Sequence, residues 1–172
     1  IKLPVIKSYV LVPLSFALAL LIGNIINKAY ERYWEGRKIW GALINISRNF
    51  ARNIIASNIT EERKKDILHR HIAYVYALKD ALRAEKSTDT QAYLSKVIDG
   101  EKEYSTKPND CTNLNFKQGK VISKAHHDQE IDNIYHQQLM QDLSVIIDCQ
   151  GKCERIKNTP LFRPYAYFTR VF

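Results

Sequence analysis

Hydrophobic and polar positions divide this chain sharply, and its beginning is the most apolar part. Residues 9–26, YVLVPLSFALALLIGNII, carry no charge, and only Ser15 and Asn24 are clearly polar. As a helix they would extend ~27 Å, close to the hydrocarbon thickness of a bilayer. The pattern predicts a transmembrane helix, which Pro13 starts or kinks because proline cannot donate to the carbonyl at i−4.

Two other interpretations of this run are weaker. A cleaved signal peptide would be followed by small residues, whereas residues 27–32, NKAYER, continue as a charged helix. A buried helix of a soluble domain seldom needs so long an uncharged stretch. The membrane helix is therefore the preferred interpretation.

Beyond residue 27, apolar positions recur every three or four residues, which is the spacing of amphipathic helices. Residues 27–57 should continue the membrane helix, while Thr60 before Glu61 and Glu62 predicts the N-cap of a second helix that reaches Leu82. The apolar stripe predicted for residues 27–57 consists of Tyr33, Arg37 (through its stem), Trp40, Leu43, Ser47, Phe50 and Ile54.

The second half of the chain is more polar and gives weaker signals. Residues 87–122 predict a short helix over 91–98 followed by a loop, and Ser123 is expected to cap a last long helix that ends near Gly151. No run alternates with period two for long enough to form a sheet. The predicted fold is all-α, a membrane-spanning helix that continues into a cytoplasmic helical bundle.

The basic residues set the expected orientation. The 172 residues include 26 Lys and Arg against 18 Asp and Glu, a net charge of +8. Only Lys2 and Lys7 precede the apolar run, whereas ten basic residues lie in residues 27–70. Since Lys and Arg are retained on the cytoplasmic side, residues 27–160 should be cytoplasmic, beneath the cell (inner) membrane. The retention of Lys and Arg on the cytoplasmic side also explains the positive net charge, so this charge does not indicate a nucleic-acid partner.

Candidate chemistry is sparse. Cys149 and Cys153 lie four residues apart, but a zinc site needs four ligands at recognisable spacing, so reduced thiols packed at a helix end are the better interpretation. Glu31 and Glu35 lie one helical turn apart, as acids on solvated helix faces often do. The chain contains no nucleotide-binding, hydrolase or metalloprotease motif. We therefore expect no enzymatic activity, no cofactor and no metal ion.

Both ends of the chain suggest a fragment. The sequence starts with Ile1 instead of Met and stops inside an aromatic, apolar segment at residues 161–172. We expect three parts: a transmembrane segment over residues 1–26, a cytoplasmic helical region over 27–160, and the start of a further transmembrane helix over 161–172.

Three stretches resemble the bestrophin family of ion channels, in its bacterial branch. They are residues 30–41 (YERYWEGRKIWG), followed by 45–52 (NISRNFAR); residues 150–161 (QGKCERIKNTPL); and the apolar run with Pro13-x-x-Phe16. Two features depart from the family pattern. Phe162-Arg163 replaces the usual Pro-Phe, and residues 100–122 match nothing in the pattern.

The resemblance implies a homopentamer in the lipid bilayer, with one central pore for small monovalent ions, chloride and other anions above all. It implies a hydrophobic neck formed by Val12, Phe16 and Leu20, which are spaced four apart, and a narrowing at the cytoplasmic mouth near Ile156. The remaining signature residues are expected to pack helices and subunits: Tyr33, Trp34, Glu35, Arg37, Trp40, Glu154, Arg155 and Pro160. A membrane-anchored helical adaptor that conducts nothing remains the alternative.

Overall fold

The structure is a computed structural model that describes residues 8–85, 87–96 and 108–159. These residues form helices and no strand, which confirms the all-α prediction. The helices are α1 (Ser8–Ala56), α2 (Glu61–Arg83), α3 (Thr88–Leu94), α4 (Pro108–His127) and α5 (Asn133–Asn158).

Helix α1 has 49 residues and an unbroken length of ~74 Å. It is long and apolar enough to cross a membrane, and no described residue before Ile39 is buried. The membrane run thus continues directly into the amphipathic part, as predicted. Pro13 lies inside the helix, so it does not mark the start.

The second half of α1 carries a buried stripe that differs in part from the predicted one. Leu43, Phe50 and Ile54 are buried as expected. Tyr33 and Arg37, which the prediction included, are exposed within the protomer. Ile39, which the prediction omitted, is buried because it lies one turn before Leu43 on the packed side of α1.

Four helices enclose the core in the order α1, α2, α4, α5. Helix α1 contacts α5 and α2, and α4 contacts the other sides of the same two helices. Between α1 and α5, the Asn53 amide donates to the buried Asp142 carboxylate at 3.0 Å. Short α3 is attached to α2 by Asp80, whose Oδ2 accepts from the Thr90 hydroxyl at 2.6 Å and from Ser87 N at 3.0 Å.

Two helix starts were predicted closely. Helix α2 follows Thr60, although among the described residues the Thr60 side chain makes no capping hydrogen bond. It ends at Arg83, where Ala84 takes a left-handed conformation with φ 56°. Helix α3 begins at Thr88, three residues before the predicted start at residue 91, and residues 97–98 lie outside the described part.

The predicted loop before Ser123 is wrong in its second part, because residues 108–127 form α4. The helix is polar in sequence, yet it packs one face against α2 and α5. Buried amides on that face find acceptors: Gln118 Nε2 donates to the Ile67 carbonyl at 2.8 Å, and Asn115 Nδ2 to the Leu143 carbonyl at 3.5 Å. These bonds give the buried amide donors acceptors, whereas Gln118 Oε1 has no partner among the described residues.

The predicted start and end of the last helix are also wrong. Ser123 lies within α4, and the break comes at residues 128–132, where Gln129 has φ 61°. Asp132 caps α5 by accepting from Tyr135 N at 2.7 Å. The helix then continues past Gly151 to Asn158, because its last turns pack against α1.

Candidate functional site along the first helix

The three predicted neck residues share one face of α1. Val12, Phe16 and Leu20 are 69%, 67% and 55% exposed, which is unusual for side chains of this size. They follow one another at intervals of four residues, so they form one apolar stripe along the helix.

This stripe lies opposite the sides of α1 that are covered. Successive helical residues turn by about 100°, which places Leu18 and Ile25 across the helix from Phe16. Both of these residues are half-buried. Leu43 and Phe50, which are buried in the bundle, lie on that covered side as well. The Phe16 face therefore lies opposite the packed side of α1, and we call it the free face; in the membrane segment the other sides also keep exposed residues, such as Leu14, which is 40% exposed.

The free face changes character below the membrane segment. Residues 18 apart share a face because 18 residues make five turns. Phe16 is thereby aligned with Trp34 and Arg52, and Val12 with Arg48. Both arginines are exposed. Three further exposed residues lie on the same face: Lys38, Asn45 and Asn49. One continuous face is thus apolar in the membrane segment and basic beyond it.

The aromatic signature residues occupy the junction between these two parts. Tyr33 is 63% exposed and Trp34 is 44% exposed, while Lys38 Nζ lies 5.8 Å from the centre of the Trp34 ring. Trp40 is half-buried and packs against the core. Arg37 is exposed and lines an open groove with Tyr33 and Trp40. Packing between subunits by these residues stays a prediction.

A clamp joins α1 to the end of α5 at the same level. The guanidinium of Arg32 donates to the backbone carbonyls of both Ile156 and Thr159. The carbonyls of a last helical turn have no partner within the helix, so Arg32 caps α5 from another helix. Sequence reasoning missed this role of Arg32, although the residue belongs to the signature stretch.

Two further signature residues contribute to the clamp. Arg155 Nη2 donates to Glu35 Oε1 at 3.2 Å, which connects the two matched motifs directly. Glu31, by contrast, pairs within its own helix with Lys28 at 2.8 Å. The solvated interpretation of Glu31 and Glu35 is therefore consistent with their positions.

Ile156 is half-buried against the bundle core and lines the groove beside Trp40. Its suggested role at a cytoplasmic narrowing stays a prediction. Glu154 accepts from Gln150 Nε2 at 2.7 Å. Pro160 lies outside the described residues.

A buried polar network fixes the bundle beneath the clamp. The Tyr74 hydroxyl on α2 donates to Gln150 Oε1 at 2.9 Å, and Gln150 Nε2 also donates to Thr112 on α4 at 3.1 Å. Burial raises the pKa of Tyr74, so the phenol stays protonated and serves as a donor.

The thiols beside this network are inert. Burial raises the pKa of Cys149 and of Cys153, and a protonated thiol is a poor nucleophile and metal ligand. In the part of the chain that the structure describes, no three His, Cys, Asp or Glu side chains are grouped so that they could hold a metal ion.

The described residues form a helical fold with one helix long and apolar enough to cross a membrane, and comparison with known proteins gives its family. The sequence model of the bacterial and fungal bestrophin proteins matches residues 2–171. The chain belongs to the bestrophin family, which confirms the resemblance found in its motifs.

Individual relatives agree with this assignment. A voltage-dependent anion channel-forming protein of Synechocystis sp. is 30% identical over 162 residues, covering 91% of this chain and 52% of that protein. A protein of the same description from Nostoc sp. is 31% identical over 161 residues, covering 89% and 50%. The chain thus spans about half the length of the relatives it matches.

Solved structures support the fold. Two crystal structures of a bacterial bestrophin homologue from Klebsiella pneumoniae superimpose with TM-scores of 0.75 and 0.78, each at 20% identity. The matches cover 90% and 99% of this chain, and 58% and 62% of those chains.

Proposed function

We propose that the full-length protein is a homopentameric channel for small monovalent anions, with α1 of every copy lining the pore. The observation that carries this proposal is the free face of α1, which is apolar in the membrane segment and basic beyond it. Anion conduction is also the activity named for the relatives.

The apolar part of this face suits a gate. Five copies of Val12, Phe16 and Leu20 would form three stacked rings in the membrane. Apolar walls cannot replace the hydration shell of an ion, so such rings block conduction when they dewet and permit it when they widen. The neck would therefore control opening, and charge elsewhere would set the preference for anions.

The basic part of the face suits a vestibule. Arg48 and Arg52 are exposed on the line that continues from the neck residues. Five copies of each would surround the entrance with positive charge, which raises the local concentration of anions and lowers that of cations.

The placement of α1 in the cell membrane rests on its flanks. Tyr9 and Tyr30 lie ~32 Å apart along the helix, which matches the hydrocarbon thickness of a bilayer. The basic residues that follow would hold residues 27–160 in the cytoplasm.

The proposal is tested by recording currents from the full-length protein in planar bilayers under a salt gradient. The reversal potential of the wild type should lie close to the equilibrium potential of chloride. Arg52→Glu should shift it towards the equilibrium potential of the cation. Lys65→Glu, the same reversal at an exposed site on α2, should leave it unchanged.

Native mass spectrometry in detergent provides the second arm of the test and should show five subunits. A correctly assembled protein that passes no current would contradict the channel and favour the adaptor. Equal shifts of the reversal potential in Arg52→Glu and Lys65→Glu would show that α1 does not line the ion path.

A further inference from the structure

The free face of α1 changes character directly beyond Leu20. Residues on one face of a helix recur after three or four positions, so the next two turns present Gly23 and Asn27, both within about 20° of the Phe16 line. Gly23 has no side chain, and Asn27 is exposed. The apolar neck from Val12 to Leu20 therefore ends after ~12 Å of helix, and a bare turn and then a polar turn follow it.

The space beside Gly23 is open. Apart from the local helix backbone, no heavy atom of the part of the chain that the structure describes lies within 4 Å of the position that a Cβ would take there. Close packing against another helix of the protomer therefore does not require glycine at this position. In a ring of five copies, the missing side chains would widen the passage just beyond the Leu20 level.

Asn27 carries the first hydrogen-bonding side chain on this face beyond the neck. Its amide makes no hydrogen bond to another described residue of the protomer. The nearest acid, Glu31, lies about 60° from the Phe16 line and pairs with Lys28 at 2.8 Å. A ring of five Asn27 side chains would thus be polar without being charged, and its amide hydrogens would be available to a passing ion.

We propose that Gly23 and Asn27 form the cytoplasmic end of the neck, where a permeating anion leaves the apolar rings and accepts its first hydrogen bonds, from Asn27 Nδ2. The inference rests on the proposed function. Each amide nitrogen carries two hydrogens, so five copies replace part of the hydration shell that the anion gave up in the neck. Asn27 is a specificity-determining residue, whereas Val12, Phe16 and Leu20 form the barrier.

The same amide has an oxygen that could accept a cation, and the vestibule favours the first of these two roles. Arg48 and Arg52 are exposed on the continuation of the face, so ions that approach Asn27 from the cytoplasm first pass a region that enriches anions. A carboxylate in place of the amide would remove the donors and repel these anions. The nitrogen and oxygen roles of Asn27 can therefore be separated by substitution.

The first test compares Asn27→Leu with Asn24→Leu in single-channel records of the full-length protein under a chloride gradient. Asn24 is exposed too, but it lies about 80° from the Phe16 line. Asn27→Leu should lower the unitary current about threefold or more, because the apolar wall becomes longer and the donors are lost. Asn24→Leu should conduct like the wild type, and Asn27→Gln, which keeps the amide, should retain most of the current.

The second test uses Asn27→Asp, which keeps the size of the side chain and replaces the donors by a negative charge. Its reversal potential should shift towards the equilibrium potential of the cation. Asn27→Leu introduces no charge, so its reversal potential should stay close to that of the wild type although its current is smaller. An unchanged reversal potential in Asn27→Asp would contradict a contact between Asn27 and the permeating ion.

A third test lengthens the neck at Gly23. Gly23→Leu should lower the open probability, because a fourth apolar ring extends the section that dewets, and the open space admits the side chain. Gly23→Ser also adds a side chain, but a polar one, and should have a smaller effect. Equal effects of the two changes would contradict an apolar barrier that ends at this residue.

The outcomes separate this inference from the proposed function. A wild-type protein that passes no anion current would contradict the function itself. A conducting wild type whose unitary current and reversal potential are unaltered in Asn27→Leu and Asn27→Asp would overturn the role of Asn27 alone. Equal losses of current in Asn24→Leu and Asn27→Leu would overturn it too, since the effect would not be specific to the free face.

Discussion

Arg155 of α5 lies 3.2 Å from Glu35 of α1, so the two motifs that identify the family meet in space although 120 residues separate them in sequence. The side chains are 65% and 51% exposed, and an exposed ion pair of this kind contributes less than ~1 kcal/mol. Arg32, one turn earlier, donates to two backbone carbonyls of α5. Arg32 is therefore the stronger part of the clamp.

Replacement of Arg32 should loosen the end of α5. Arg32→Ala removes two charge-assisted hydrogen bonds and should lower the free energy of unfolding by about 1–3 kcal/mol. Arg32→Lys should recover only part of this, since one ammonium cannot reproduce the two-pronged geometry of a guanidinium. Unfolding followed by circular dichroism measures both.

Glu35→Gln is the matched control for Arg32 and should cost less than ~1 kcal/mol. Hydrogen exchange should become faster at residues 153–159 in Arg32→Ala and stay unchanged in α3. A larger loss of stability in Glu35→Gln than in Arg32→Ala would reverse the assigned order of importance.

His71 should make stability depend on pH. Burial lowers the pKa of His71 from 6.5 to about 4, so between these values the unfolded chain binds a proton that the folded chain does not. The free energy of unfolding should therefore fall as the pH is lowered from 6.5 to 4, by about 3 kcal/mol for this group. Denaturant titrations across this range measure the slope.

In His71→Phe the loss of stability towards pH 4 should be smaller by that amount, because only the contributions of the other titratable groups remain. Identical pH profiles for the wild type and His71→Phe would show that the imidazole titrates equally in both states, contrary to its burial.

Topology can be tested with a cysteine at an exposed site. The native Cys111, Cys149 and Cys153 are buried, so they cannot report which side of the membrane they face. Glu61→Cys at the start of α2 is suitable, because the Glu61 side chain is 79% exposed. A membrane-impermeant thiol reagent should label it only after the cells are permeabilised. Labelling in intact cells would place residues 27–160 on the outside.

The sequence predicted those parts of the fold whose buried side chains are mostly apolar. In α1, the recurrence of Leu43, Phe50 and Ile54 marks the helix and its packed face. In α4, the buried face mixes the aliphatic Leu114 and Ile122 with the polar Asn115 and Gln118, so its helical spacing carries a weaker hydrophobic signal. Pro108 at the first helical position was the one local indication of its start.

The turn between α4 and α5 was missed for a related reason. Asp128 and Glu130 in this turn lie 2.7 and 3.0 Å from the Arg63 guanidinium on α2, so a contact between distant residues fixes where α4 ends. Ser123 looks like a cap in sequence, but its hydroxyl instead lies 3.3 Å from His136 of α5. Local sequence does not contain this information.

The candidate site was predicted in its residues but not in its geometry. The spacing of Val12, Phe16 and Leu20 places them on one face, whereas which side of α1 is free follows only from the burial of Leu43 and Phe50. The carbonyl contacts of Arg32 depend on where α5 ends, which the sequence placed about two turns too early.

The central claim, that the Phe16 face of α1 lines the ion path, is tested most directly by single-channel recording of Phe16→Ala beside Leu18→Ala. Both changes remove a large apolar side chain at nearly the same depth, on opposite sides of the helix. Phe16→Ala should raise the conductance or the open probability because it lowers the dewetting barrier, and Leu18→Ala should leave the unitary current unchanged. Records of assembled Phe16→Ala channels that match those of the wild type would contradict the claim.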